Sequence, residues 1–186
     1  TYPSYKPTNS LQEDARSRDF TINSLYFNPV TEAWVDYFGG KKDADNKKIK
    51  FIGDWQNKIL ESKIRLLRGP ILRGILGEEW ELDYKTARGL ENYRLKIAGI
   101  PRKVLNSEIK KIFIRCEKPS IVFDSLKEVK LLEVIFPELS LCTGIDQSAK
   151  TSNYLDLYQH IMFAMDSVPT TTENLELVRV SALMHD

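Results

Sequence analysis

The first group of side chains suited to binding a nucleotide lies near the start of the chain, where Arg18, Asp19 and Asn23 fall within six residues. Apolar spacing predicts a helix over 11–23, in which Asp19 and Asn23 lie one turn apart on the same face. A guanidinium, a carboxylate and an amide together offer donors to a triphosphate and an acceptor to a ribose hydroxyl. An ion-paired, solvated amphipathic helix gives the same pattern, and spacing alone favours that simpler interpretation.

A second group lies in a segment with helical periodicity, where Glu61, Arg65 and Arg68 fall on one helix face at i, i+4 and i+7. A guanidinium can donate a fork of hydrogen bonds to acceptors on a base edge. Glu61 and Arg65 alone also fit an ordinary helix ion pair, which is worth only about 0.3–0.5 kcal/mol. The spacing by itself leaves both interpretations open.

The only two histidines, His160 and His185, are predicted on separate helices, and Asp186 follows the second. Imidazole and carboxylate groups suit a divalent transition metal ion. Two histidines and one aspartate do not complete a metal site, and isolated histidines are more often surface or capping residues. The three residues are therefore weak candidates for metal ligands.

The elements that must position these groups are mainly helical. A hairpin is predicted from strands at 24–27 and 32–37 around an Asn-Pro turn, followed by a third short β-like run at 47–52. Apolar residues then recur every three to four positions, with Pro70 and nearby glycines expected to kink or end the first helix. Helices are predicted from about 54 to the 70s and over 83–97, 102–116, 119–132, 151–167 and 173–185.

Composition narrows the possible classes. The chain has 186 residues and is 42% hydrophobic, which excludes wholesale disorder. Its two cysteines cannot form a disulfide framework or a zinc ribbon, and no apolar run reaches the length of a membrane span, so a cytoplasmic protein is expected. Because it begins at Thr1 and stops inside a predicted helix, we expect part of a longer protein.

The net charge of +1 is unevenly distributed. Residues 1–117 carry 22 Lys and Arg against 16 Asp and Glu, whereas 118–186 carry 5 against 10. The basic front is the expected surface for RNA phosphates. Its candidate contacts are Lys41, Lys42, Lys47, Lys48, Arg94, Lys96, Arg102, Lys103, Lys110 and Lys111.

Residues 18–25, Arg-Asp-Phe-Thr-Ile-Asn-Ser-Leu, resemble motif B, R-R-D-x-x-x-N-A, of the class II tRNA nucleotidyltransferase (CCA-adding enzyme) and bacterial poly(A) polymerase family. Asp36, Gly40 and Asp43 match the spacing of the family's motif C, D-x-x-x-G-x-x-D. Residues 61–68 resemble motif D, E-D-x-x-R with a further arginine three residues on. Three motifs in the family's order make the resemblance specific.

This resemblance implies an enzyme that transfers CMP and AMP from CTP and ATP to the 3′ end of tRNA or another RNA. It implies that 1–53 ends a nucleotidyltransferase head, 54–117 forms nucleotide-reading neck helices, and 118–186 forms a helical body with the start of an HD-like region. In the family, an Asp-x-Asp pair at the front of the head holds Mg²⁺. No such pair precedes motif B here, and Asp43-Ala44-Asp45, which lies in motif C, is not expected to hold metal, so the chain alone is expected to be inactive.

The resemblance also implies roles for single residues. Arg18, Asp19 and Asn23 are expected near the sugar and triphosphate, and the motif C residues are expected to form a hinge. Glu61, Ser62, Arg65 and Arg68 are expected to face the base and phosphates. Ser62 replaces the family's aspartate, and because a hydroxyl accepts weaker hydrogen bonds than a carboxylate, selection for an amino-bearing base should weaken.

Two alternatives remain open from the sequence. Ser17 and Ser62, which replace the family's arginine and aspartate, favour a non-catalytic RNA-binding member. The histidines and Asp186 favour an HD-type metal-dependent phosphohydrolase. The identity of the added nucleotides and the oligomeric state do not follow from the sequence.

Overall fold

The computed structural model describes residues 10–146 and 156–185. Eleven α-helices lie in these ranges: α1 (Leu11–Ser17), α2 (Gly40–Asp45), α3 (Trp55–Glu61), α4 (Arg65–Leu76), α5 (Tyr84–Tyr93), α6 (Arg102–Arg115), α7 (Ser120–Glu128), α8 (Leu132–Ile135), α9 (Pro137–Leu141), α10 (Leu157–Asp166) and α11 (Leu175–Leu183). Short 3₁₀ helices span Thr21–Ser24 and Arg94–Gly99. The strands are β1 (Tyr26–Asn28), β2 (Ala33–Val35), β3 (Lys48–Ile49) and β4 (Glu81–Leu82). The mainly α fold class is confirmed.

The predicted hairpin is present. Strands β1 and β2 pair antiparallel, and Phe27 lies opposite Trp34 with ring centroids 5.1 Å apart. Its turn is held by Asn28, whose Oδ1 accepts hydrogen bonds from the backbone N–H groups of Val30 and Thr31. A second pairing was not predicted: β3 runs parallel to β4 and joins the front of the chain to the helices that follow.

The helix predicted over 11–23 is wrong beyond Ser17. Arg18 is extended, with ψ at 164°, and Phe20 is completely buried against Phe51 with ring centroids 4.9 Å apart. The backbone of this segment pairs with residues 50–52, since Thr21 N–H donates to the Lys50 carbonyl and Ile52 N–H to the Asp19 carbonyl. This long-range pairing outweighs the local helical periodicity.

The long helix predicted from residue 54 is divided at Ser62, which is extended with φ at −153°. The second part, α4, continues through Pro70 and ends at Gly77, so Pro70 does not end it. Glycine is required inside α4 because a Cβ on Gly74 would lie 2.2 Å from Val122 Cγ2. The missing side chain lets α4 and α7 approach closely.

One hydrophobic core joins the front of the chain to the later helices. Phe20, Ile49 and Phe51 contribute from the front, and Leu66 and Leu67 from α4. Members from α6, α7 and α10 are Ile112, Phe113, Val122, Phe123, Leu126, Tyr158, Ile161, Met162 and Met165. Across the described ranges, none of the helices is long and apolar enough to cross a membrane.

The last two helices fall where they were predicted, with tighter bounds. Helix α10 begins at a capping box, in which the Asp156 carboxylate accepts from Gln159 N–H and the Gln159 side chain accepts from Asp156 N–H. Helix α11 contributes Arg179, which is completely buried. The predicted extension of the first of these helices over 151–155 lies outside the described residues.

Candidate nucleotide-binding site

Asp19 organises the candidate site although it does not lie on a helix. Its Oδ1 accepts hydrogen bonds from Phe20 N–H at 2.9 Å and from Asn23 Nδ2 at 3.0 Å. Its Oδ2 lies 3.0 Å from Nη1 of Arg68. The predicted proximity of Asp19 and Asn23 is therefore found, but a buried turn creates it in place of the expected helix face.

Two arginines of motif D, both in the first turn of α4, connect this motif to motif B. Arg68 reaches the Asp19 carboxylate, and one turn earlier Arg65 donates to the Ser17 carbonyl at 2.9 Å. Arg65 also donates to the Lys58 carbonyl and to Glu61 Oε2, both at 2.7 Å. Its guanidinium is thus occupied by protein acceptors, whereas Arg68 remains half-exposed and has only Asp19 as a charged partner within the described residues.

Lys58 strengthens the same connection from α3. Its ammonium donates to the Arg16 carbonyl and lies 3.8 Å from Glu61 Oε2. Burial lowers the pKa of Lys58, and the nearby Glu61 acts in the opposite direction. Lys58 and Arg65 together fix the end of α1 against α3 and α4, which in turn fixes Asp19.

A cleft opens beside Asp19. It has a volume of about 230 Å³ and is lined by Asp19, Phe20, Asn23, Arg68, Ile71, Leu72, Ile75, Glu108, Lys111 and Arg115. Of the seven residues assigned to nucleotide binding from the sequence, Asp19, Asn23 and Arg68 reach this cleft. Arg18, Glu61, Ser62 and Arg65 do not line it, and their nucleotide contacts stay predictions.

The far wall of the cleft was not predicted as part of the nucleotide site, although Lys111 was predicted to contact RNA phosphates. Glu108, Lys111 and Arg115 lie on one face of α6 at i, i+3 and i+7. Lys111 forms an ion pair with Glu108 at 2.6 Å. Their spacing was a usable signal, because it places one acid and two cations along a single face of a helix with regular apolar periodicity.

Arg18 lies on the outer side of the loop. Its guanidinium donates to Asp14 Oδ2 at 3.2 and 2.8 Å, and the Tyr26 hydroxyl donates to the same carboxylate. The hydrogen bond from Tyr26, followed by that from Arg18, lowers the pKa of Asp14. This network ties α1 to the hairpin and directs Arg18 to Asp14.

Asp36 of motif C caps α2, a helix that was not predicted from the sequence. Oδ1 of Asp36 accepts from the backbone N–H groups of Phe38, Gly39 and Gly40, and Oδ2 accepts from that of Lys41. These bonds satisfy donors at the helix start. A hinge role for Asp36, Gly40 and Asp43 remains a prediction.

The remaining motif C residues attach α2 to the loop that carries Asn23. The Thr21 hydroxyl donates to Asp43 Oδ2 at 2.7 Å. A Cβ on Gly40 would lie 2.2 Å from the Thr21 carbonyl oxygen. Gly40 therefore permits a close approach between backbones, and motif C supports the position of motif B.

We expect Gly40→Ala to destabilise the protein by about 1–3 kcal/mol, because the added methyl group must displace backbone and not a flexible side chain. Urea unfolding of the full-length protein measures this change. Lys41→Ala, at the neighbouring exposed helix position, is the control and should stay within about 0.5 kcal/mol. Equal stability of the two variants would show that the contact is unimportant.

The Asp36 cap also predicts a pH dependence. Burial opposes ionisation of Asp36, but the hydrogen bonds from Lys41, Gly40, Phe38 and Gly39 prevail and lower its pKa. Its contribution is thus present above the unfolded pKa of about 3.9 and is lost as pH falls through the folded pKa. The unfolding free energy of the wild type should fall more steeply below pH 4 than that of Asp36→Asn, and parallel curves would contradict this role.

The histidine pair is brought together in the structure. The Nε2 atoms of His160 and His185 lie 3.2 Å apart, and His185 Nδ1 lies 2.7 Å from the Ala182 carbonyl. The third candidate, Asp186, lies outside the described residues. Within 10–146 and 156–185, no group of three or more His, Cys, Asp or Glu side chains is arranged to hold a metal ion.

The structure divides the ten cations of the predicted RNA surface into three sets. Five have acidic partners: Lys47, Lys48, Arg94, Lys110 and Lys111. Lys96 lies over the Tyr93 ring. In the described part of the chain no acidic partner is found for Lys41, Lys42, Arg102 or Lys103. RNA phosphate contact at these four positions remains a prediction.

Comparison with known proteins places the geometry in a family. A model of the poly(A) polymerase head domain matches residues 2–50. The "Multifunctional CCA protein" of Pasteurella multocida is 26% identical over 98% of this chain and 44% of its own length. "Poly(A) polymerase I" of Haemophilus influenzae is 30% identical over 70% of this chain and 28% of its own length. The chain therefore spans less than half the length of these curated relatives.

The fold agrees with these sequence relationships. The crystal structure of a tRNA nucleotidyltransferase complexed with a primer tRNA and an incoming ATP analogue superimposes with a TM-score of 0.63. The alignment covers 100% of this chain and 57% of that chain, at 20% identity. Motifs B, C and D meet around Asp19, relatives match across almost the whole chain, and the fold is shared: this chain belongs to the tRNA nucleotidyltransferase and poly(A) polymerase family.

Proposed function

We propose that the protein containing this chain adds nucleotides from CTP and ATP to the 3′ end of RNA, with a tRNA acceptor end as the leading substrate. The observation that carries this proposal is the cleft in which Asn23 and Arg68 are both held by the buried Asp19. The similarity to a CCA protein and to a poly(A) polymerase supports it. A further support is that the similar structure was solved with a primer tRNA and an ATP analogue.

In the proposed reaction, the RNA 3′ oxygen attacks the α-phosphorus and pyrophosphate leaves. Arg68 has guanidinium nitrogens beyond the one facing Asp19, and these can donate to a phosphate or a base edge. Asn23 uses its amide nitrogen on Asp19, which directs its Oδ1 as an acceptor for a sugar hydroxyl. Prior positioning by Asp19 lowers the entropy cost of orienting both groups.

The cleft forms one wall of the proposed site. Its volume of about 230 Å³ is below the range of roughly 300–1,000 Å³ that is usual for small-molecule sites. We infer that another part of the full-length protein completes the enclosure. The boundaries at residues 53 and 117 are part of the same proposal, although the β3–β4 pairing joins the first two units closely.

Divalent metal ions are typical of this family, and we propose Mg²⁺. The described carboxylates near the cleft do not fit as its ligands. Asp19 is occupied by Phe20, Asn23 and Arg68. Glu108 is paired with Lys111, and Asp43 accepts from Thr21. We therefore assign metal binding to carboxylates outside the described residues.

We propose that α4 contributes to base selection, but that Arg65 does not contact the base as the sequence predicted. The guanidinium of Arg65 is buried and bonded to Ser17, Lys58 and Glu61, so we propose that it positions the α1–α4 junction. Glu61 accepts a hydrogen bond from Arg65 at 2.7 Å, and we propose that it orients this side chain. Ser62 ends α3 directly before this junction and keeps its proposed, weaker role at the base.

Incorporation of labelled CMP and AMP into a tRNA transcript that lacks its 3′ end tests this function in the full-length protein. Extension that requires the divalent ion supports it. RNA binding without extension would favour the non-catalytic alternative, and phosphate release without extension would favour the HD-type phosphohydrolase. The relatives favour nucleotidyl transfer over both alternatives. The cytoplasmic location remains a prediction.

A further inference from the structure

Arg115 is the last residue of α6 and lines the same cleft as Asn23 and Arg68. It lies on the helix face that also presents Glu108 and Lys111, one turn beyond Lys111. No motif recognised in the sequence includes it. Its position in the cleft is therefore seen only in the folded structure.

The other charged groups of the cleft are paired with each other. Arg68 faces Asp19 at 3.0 Å, and Lys111 faces Glu108 at 2.6 Å. Both acids in the lining are thus matched by a cation. Arg115 is exposed, and among the described residues no acid or carbonyl accepts a hydrogen bond from its side chain. The cleft consequently has one unmatched positive charge, which Arg115 supplies.

An unmatched guanidinium at the rim of a cleft that already holds oriented donors is suited to a phosphate group. A position at the C-terminal end of a helix explains tolerance of a cation there, but it does not explain why this side chain lines the cleft. The two explanations differ in what the loss of Arg115 should change. Loss of a helix-end cation changes stability, whereas loss of a phosphate contact changes substrate affinity.

We propose that Arg115 binds a phosphate of the substrates, either in the nucleoside triphosphate or in the backbone at the RNA 3′ end. This inference rests on the proposed function, because it places the phosphate in the same cleft. Arg68 holds its side of the cleft through Asp19, and Arg115 contacts the phosphate from α6. The residue is thus assigned to substrate affinity, and bond making does not depend on it.

The test compares Arg115→Gln with wild type in the full-length protein. In steady-state extension, KM for CTP, KM for ATP and KM for the tRNA transcript are measured separately. We expect about a tenfold rise in KM for one substrate class, with kcat changed less than twofold. Arg115→Lys should recover part of the loss, since it keeps the charge without the planar fork.

The substrate class that responds identifies the source of the phosphate. A rise for both nucleotides with unchanged KM for RNA assigns Arg115 to the triphosphate. A rise for RNA alone, with a salt dependence of RNA affinity reduced by about one unit of slope, assigns it to the RNA backbone. Arg88→Gln is the matched control, because Arg88 is an exposed helical arginine that does not line the cleft.

Unchanged KM values for all substrates, with or without lower thermal stability, would overturn the proposal. Equilibrium binding of ATP, CTP and the transcript is measured in parallel, because binding needs no turnover. If wild type binds but does not extend RNA, the proposed function fails while Arg115 is still tested by affinity. If wild type extends RNA and Arg115→Gln binds every substrate normally, only the role of Arg115 fails.

Discussion

Replacing Arg68 with Met should reduce kcat/KM for nucleotide addition by about 100-fold, which corresponds to the loss of one positioned charged donor. Arg68 is half-exposed and its charged partner is Asp19. Stability should fall as well, because the buried Asp19 loses its charged partner and keeps only its hydrogen bonds to Phe20 N–H and Asn23. The measurement is steady-state incorporation of CMP and AMP by the full-length protein, with thermal unfolding as the check on folding.

A second variant separates direct contact from a general loss of charge. Arg68→Lys keeps a cation but cannot both face Asp19 and present a fork of donors, so we expect an intermediate loss of about tenfold. Asp19→Asn should also lower activity, since it removes the charge that orients Arg68. Because the two residues act as a unit, the double variant should lose less than the combined single losses. Full activity in Arg68→Met would contradict the assignment.

Replacing Arg179 with Met should lower the free energy of unfolding by about 3–5 kcal/mol, because each buried acceptor left without a donor costs about 1–3 kcal/mol. Arg179 is completely buried in α11. Its guanidinium donates to the carbonyls of Phe113 at 2.9 Å, Cys116 at 2.7 Å and Glu117 at 2.9 Å. Methionine, which is shorter and has no donor, would leave these acceptors without hydrogen bonds from residue 179.

Arg179 is hydrogen-bonded to the end of α6, and the last residue of that helix, Arg115, lines the cleft. Loss of Arg179 should therefore also affect the candidate site. Its acceptors lie at the C-terminal end of α6, where a cation is favoured by the helix dipole. Burial lowers the pKa of Arg179, and Asp166 opposes that effect. Burial raises the pKa of the Cys116 thiol to about 12 although the nearby Arg179 acts in the opposite direction, so this cysteine remains a neutral, buried side chain.

Urea unfolding of the full-length protein measures the effect of Arg179→Met. Leu177→Ala, at an exposed position of the same helix, is the control and should change stability by less than about 0.5 kcal/mol. A loss below about 1 kcal/mol in Arg179→Met would show that water replaces the guanidinium. The stability loss of Arg179→Lys should lie between those of Leu177→Ala and Arg179→Met, since an ammonium has fewer donors than a guanidinium.

The helix predicted over 119–132 is wrong beyond Glu128, because Lys130 has a φ of 55° and a separate helix, α8, begins at Leu132. The helix over 102–116 was predictable because its apolar residues recur with helical spacing and build the core. The end of α1 was not, because it depends on pairing between Phe20 and Phe51, which are far apart in sequence. Local periodicity contains no information about such a partner. The same limit hid the parallel β3–β4 pair, whose strands have only two residues each.

The candidate site was predictable in part for a related reason. Asp19, Asn23 and Arg68 were identified from motifs, and the structure brings them together. That Arg65 is already hydrogen-bonded within the protein could not be predicted, because its partners include the backbone carbonyls of Ser17 and Lys58. Every residue has a carbonyl, so the sequence does not show which ones an arginine will reach. Arg179 was overlooked because a single arginine on a helix normally indicates an exposed face.

The central claim is that the cleft beside Asp19 binds the incoming nucleotide. A crystal structure of the full-length protein with a non-hydrolysable CTP or ATP analogue tests it most directly. We predict that Asn23 Oδ1 and an Arg68 guanidinium nitrogen lie within hydrogen-bond distance of the analogue, about 2.7–3.2 Å. An analogue bound with neither residue in contact, and the cleft between α4 and α6 empty, would contradict the claim.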